Sequence, residues 1–137
     1  MSLDINTLRT SFEKAKPLGI QITEKFYEIL FRDYPQSKSL FDESRLPTQK
    51  KQLLAALVFV VDNLENTDLL VKKLSEMGGR HKGYGVKDEH YDWVGSSLLN
   101  TFEFFFKENW TPELKKAWTD AYGVIASIMK QGASQAT

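Results

Sequence analysis

The chain has 137 residues, 18 basic and 18 acidic side chains, two histidines and no cysteine, with 42% hydrophobic and 26% charged residues. That length favours one domain able to bury its own core, and the composition is that of a globular chain rather than a disordered one. The charge balance gives no basic surplus for nucleic acid or an acidic membrane, and the lack of cysteine excludes disulfides and thiolate ligands.

The first residues, MSLDINTLRTSFEK, lack the apolar core of a signal peptide, so a cytoplasmic protein is expected. Ile5, Leu8, Phe12 and Ala15 recur on one face of a helix over 4–16. Pro17 suits the first turn of a second helix. There Ile22, Phe26 and Leu30 form one row, and Tyr27, Phe31 and Tyr34 its neighbour. That helix is expected to stop before Pro35. Residues 36–46 read as a turn and a loop, with Phe41 a large ring among polar neighbours. Pro47 opens a third helix through LLAALVFVV, apolar nearly all round and so expected deep in the protein. At nine residues, that run is too short to span a bilayer, so no membrane is expected.

Residues 63–67 are polar and loop-like. Asp68 is a candidate N-cap for a helix carrying Leu70, Leu74, Met77 and His81. Residues 87–107 place Tyr91, Val94, Leu98, Phe102, Phe105 and Phe106 in one stripe at helical spacing. Thr111 caps the last helix and Pro112 opens it. Its inward stripe is Leu114, Ala117, Trp118, Ala121, Ile125 and Ile128, and the tail GASQAT is expected to fray. Alternating β-branched runs with two-residue turns are missing. The expectation is an all-α single domain over 1–137.

His81 is the residue that asks for chemistry. It occupies the last inward position of its helix, with glycines at 78, 79, 83 and 85. One reading is a hydrogen-bonded core histidine, or a cation favoured by the helix C-terminus. The other is a metal ligand, since one axial histidine suffices where a porphyrin supplies four nitrogens. His90 follows Lys87-Asp88-Glu89 and reads as exposed. No Glu-x-x-His pair for a di-iron bundle and no His-Glu-x-x-His zinc motif is present. Gly83 and Gly85 permit a sharp exit from the helix. Gly78 and Gly79 permit close approach of a flat ligand or of a neighbouring helix, at a cost in helix propensity.

Five segments in order carry a resemblance: FYEILFRDYP (26–35), SLF (39–41), TQKKQLLAAL (48–57), GGRHKGYGVKDEHYDWVGSSLL (78–99) and AWTDAYGVIA (117–126). Over nearly its whole length the chain resembles the globins, most closely the bacterial single-domain globins of the flavohaemoglobin lineage. Gln49 and His81 stand 32 residues apart, 81 minus 49, which resembles the distal-to-proximal separation of that lineage. The resemblance implies a globin fold, a 3-on-3 helical sandwich around haem b. It makes His81 the proximal iron ligand and sets Phe41 against the porphyrin. Tyr27 and Gln49 become distal, catalytic side chains, and Leu53 a wall of the ligand pocket. Tyr91 would lie on the proximal side, where a tyrosine helps to hold the histidine. Read without the resemblance, Tyr27 and Tyr91 are core tyrosines, Phe41 a loop anchor, and Gln49 part of the wet face with Lys50, Lys51 and Gln52.

The implied ligands are O2, NO and CO. Tyr27 offers a hydroxyl and Gln49 an amide NH2. Two donors in a dry pocket predict tight O2 binding. The lineage is associated with NO dioxygenation to nitrate, which consumes an electron at each turn. The chain ends at Thr137 without a Gly-x-Gly-x-x-Gly motif, so a separate reductase or small reductant is expected. The lineage's late carboxylate, paired with the proximal histidine, has no counterpart in MKQGASQAT. That departure weakens peroxidase-like chemistry and favours reversible ligand binding. A haem-based gas sensor, or an O2 storage and delivery protein working through a partner, is the alternative.

Overall fold

A computed structural model describes residues 3–41, 43–83 and 87–135, the side chains of Lys82, Gly83 and Gln135 excepted. Asp4 starts the first helix. Its carboxylate accepts from the Thr7 N–H at 3.1 Å and from the Thr7 hydroxyl at 2.7 Å, supplying an N-cap to α1, Ile5–Ala15. A 3₁₀ turn at Lys16–Leu18 contains Pro17 and leads into α2, Gly19–Asp33, which stops two residues before Pro35. Two further 3₁₀ turns, Pro35–Leu40 and Glu43–Arg45, fill the expected loop. α3 spans Leu46–Asp62 with Pro47 in its first turn.

α4 spans Thr67–Gly83. Its cap is Asn66 rather than Asp68: the Leu69 N–H donates to Asn66 Oδ1 at 3.3 Å. Asn66 reaches the third residue on, so the helix begins at Thr67 and Asp68 falls inside its first turn, still on the favourable side of the helix dipole. α5 spans Asp88–Phe106 and α6 Pro112–Gln135, with the Thr111 hydroxyl accepting from the Leu114 N–H at 3.1 Å. The tail does not fray at 132: α6 runs on through Gly132, Ala133 and Ser134, and Gly132 is buried. Gly85, expected to help the chain leave α4, lies outside the described residues. No strand occurs among the described residues, and no helix there is long and apolar enough to cross a membrane.

α6 packs on α4, α5 and α1, while α2 packs on α5 and α3, so α5 and α6 run through the middle. The core gathers Leu8, Phe12, Phe26, Leu30, Leu98, Phe102 and Trp118. Phe102 is fully buried, its ring 4.6 Å from that of Trp118. α3 is less deep than its composition suggests. Leu57, Val60 and Val61 are buried, but Leu53, Val58 and Phe59 are half-buried and Ala55 is exposed. The reason is coverage: α1 and α2 are its main neighbours, and two helices cover one side of a cylinder.

Candidate functional site

His81 lies in the last turn of α4, two residues before its end, and is half-buried. Its Nδ1 is 2.6 Å from the carbonyl oxygen of Met77, four residues back. A carbonyl only accepts, so Nδ1 carries the hydrogen and donates. In the neutral ring the lone pair then belongs to Nε2. Burial pushes the His81 pKa below the usual histidine value. The Met77 hydrogen bond opposes that shift, and the nearby Arg80 charge adds to it. The balance of these effects favours neutral imidazole over the cation at His81.

Tyr27 and Phe41 meet. Tyr27 lies on the inward side of α2, only 6% exposed. Phe41 follows the Pro35–Leu40 turn in extended backbone, and its N–H donates to the Lys38 carbonyl at 3.1 Å. Their rings pack edge to face with centroids 5.4 Å apart. Phe31 completes the cluster, 5.9 Å from Tyr27 and 5.7 Å from Phe41. Such edge-on contacts add to the gain from burial. Phe41 is thus tied to α2, which accounts for a large ring among polar neighbours. Burial raises the Tyr27 hydroxyl to about 12.

Gln49 and Leu53 sit one turn apart on the first half of α3, both half-buried. α3 crosses α2 at Gly19, where a Cβ would lie 2.7 Å from Leu54 Cδ1, so glycine lets the two helices approach.

Tyr91 begins the inward stripe of α5 and is 7% exposed. Its hydroxyl is buried and has no hydrogen-bond partner among the described residues. α6 presses on Tyr91 from two sides. The Tyr122 hydroxyl donates to the Tyr91 carbonyl at 2.5 Å, and Lys130 Nζ stands 5.6 Å from the Tyr91 ring centroid. Gly95 makes room for Tyr122, since a Cβ there would lie 2.6 Å from Tyr122 Cε2. Neither the Met77 carbonyl nor Tyr122 was singled out in the sequence. The first is a backbone acceptor with no sequence mark, and Tyr122 falls just off the inward stripe of its helix. His90 also departs from expectation. It is half-buried, its ring 4.7 Å from that of Trp93, and its Nδ1 accepts from the Lys87 N–H at 2.9 Å to cap α5.

The fold and this arrangement define an all-helical protein with a neutral histidine donor on one helix and a buried tyrosine–phenylalanine cluster on another. The globin family pattern matches residues 24–129, and the chain belongs to the globin family. It is similar to the flavohemoprotein of Bacillus subtilis (strain 168), 29% identical over 124 residues, covering 89% of this chain and 31% of that protein. The flavohemoprotein of Bacillus cereus (strain ATCC 10987 / NRS 248) is likewise 29% identical over 124 residues, with 30% of it covered. The chain thus spans about a third of the length of these relatives. Among solved structures it is similar to a bacterial globin from Campylobacter jejuni, with TM-score 0.78, 29% identity and coverage of 93% of this chain and 95% of that one. An engineered carbene transferase from Rhodothermus marinus shares the fold at TM-score 0.81 and 24% identity, over 98% of this chain and 95% of that one. The family implies haem, and the donor set suits it: a neutral imidazole with its lone pair on Nε2, and no competing cluster of metal-ligating side chains among the described residues.

Proposed function

We propose that residues 1–137 act as one globin domain that holds haem b through His81 and binds O2, NO and CO. NO dioxygenation is its activity when a separate reductase supplies electrons. The observation that carries this reading is the His81 Nδ1–H hydrogen bond to the Met77 carbonyl, which favours the tautomer with its lone pair on Nε2, the form an iron ligand needs. When bound, haem supplies an iron with one histidine ligand and an open position for a diatomic gas. Phe41, braced by Tyr27 and Phe31, gives the porphyrin an aromatic wall. Tyr27 keeps its proton throughout the physiological range and is an O–H donor. Gln49 adds an amide donor, and Leu53 beside it keeps water out.

Tyr91 and Lys130 set the character of the other side. Residues 129–137 contain no carboxylate side chain, and the α6 side chain over Tyr91 is a cation. Without a carboxylate in that stretch to pair with His81, gas binding is favoured over peroxidase-like chemistry. The flavohemoprotein relatives suit a haem-based reading, and in the dioxygenase activity proposed here O2, NO and one electron give nitrate. The test is nitrate yield when NO is added to the oxygenated protein, with and without a reductase. One nitrate per haem without reductase, and many with it, is the expected result. No nitrate in either case would leave a gas-binding protein without this activity.

A further inference from the structure

α4 packs on α6 more extensively than any other pair of elements among the described residues. The seam is made of backbone. A Cβ on Gly78 would collide with the carbonyl group and Cα of Met129, and a Cβ on Gly132 would collide with the carbonyl group and Cα of Ser75. The two contacts lie one turn apart on each helix and run in opposite directions, so α4 and α6 are antiparallel with main chains touching. Gly123, on the same helix α6, has nothing within 4 Å of its Cβ position. Glycine in a helix interior is costly, and at Gly78 and Gly132 the cost has a cause: any side chain would push the helices apart.

His81 is three residues beyond Gly78, so it stands one turn further along α4 on nearly the same face. The depth at which α4 seats on α6 therefore sets where the imidazole projects. We propose that Gly78 and Gly132 are positioning residues for His81: their backbone seam fixes the height of the histidine over its ligand. This rests on the reading of His81 as the haem ligand.

The test uses the haem-loaded full chain and the iron–histidine stretching band of its ferrous, ligand-free form, with haem loss to an acceptor protein as a second readout. In Gly78→Ala and Gly132→Ala the helical far-UV spectrum should persist, the band should move or split, and haem loss should speed up by roughly 10- to 100-fold. Gly123→Ala should match the parent in both. In His81→Gly supplied with free imidazole the ligand is no longer tethered to α4. Adding Gly132→Ala there should leave the band unmoved. An unmoved band and unchanged haem loss in both seam variants would overturn the proposal. So would a shift that persists with free imidazole, or loss of helical structure in the variants, which would assign the seam to folding alone. A parent protein with no such band would remove His81 as ligand and the proposal with it. A normal parent band, unmoved in the variants, would remove the seam only.

Discussion

Burial pushes the Tyr27 hydroxyl up to about 12, above an ordinary tyrosine. A raised pKa in the folded state means that the folded chain keeps its proton while the unfolded chain loses it. The associated stability is intact below about pH 10 and is lost as pH rises toward 12. Chemical unfolding across that window should show a steep decline in the wild type and a shallower one in Tyr27→Phe; identical slopes would mean that Tyr27 is not desolvated. The same hydroxyl carries the functional prediction. Removing a hydrogen bond to a charged partner costs about 1.5–3 kcal/mol, so Tyr27→Phe should speed O2 release roughly tenfold to over a hundredfold in flash-photolysis or stopped-flow traces. An unchanged rate would take Tyr27 out of the mechanism. Phe41 and His81 stand out in the sequence, as a large ring among polar neighbours and a histidine at an inward helical position, whereas Tyr27 is marked only by the resemblance. The Met77 carbonyl does not stand out, since every residue has one, and only the fold decides which carbonyl meets the imidazole.

Element boundaries followed proline and capping chemistry closely. α2 stops before Pro35, and Pro47 and Pro112 lie in the first turns of α3 and α6. The α4 start was harder because Asn66, Thr67 and Asp68 are all capping types, and the outermost side chain to reach an orphan N–H sets the boundary. Helices α1 and α6 are joined through a buried polar link that no periodicity reveals. Trp118 Nε1–H donates to Ser11 Oγ at 3.0 Å, and that hydroxyl donates in turn to the Thr7 carbonyl at 2.8 Å. Ser11→Ala would leave a buried indole N–H without its partner. It should lower unfolding free energy by about 1–3 kcal/mol in a urea titration. The end of α5 stores strain in the opposite sense. Lys107 has φ 54°, a region that suits glycine. Lys107→Gly should raise stability by about 1 kcal/mol, read as a higher urea midpoint at unchanged slope.

At the scale of the molecule, the all-α class and the number of long helices were legible because five of the six carry a clear 3.6-residue stripe. α3 was misjudged because uniform apolarity says that a helix wants cover, not how much its neighbours provide. The α6 tail was misjudged for a related reason. Polar, small residues such as GASQ read as frayed, yet Gly132 is what lets α6 press onto Ser75 of α4 and stay helical. Contacts between helices far apart in the chain have no local signature, and the seam of Gly78 and Gly132 between α4 and α6 is one of them. Delivery of a neutral His81 to haem iron is the function proposed for this globin fold. It is tested most directly by loading the wild type and His81→Ala with haem and recording ferric, dithionite-reduced and air-exposed absorption spectra. A Soret band that shifts on reduction and a persistent oxygenated spectrum in air are expected, both collapsing in His81→Ala. A helical protein that stays colourless with ample haem, or a His81→Ala spectrum matching the parent, would contradict it.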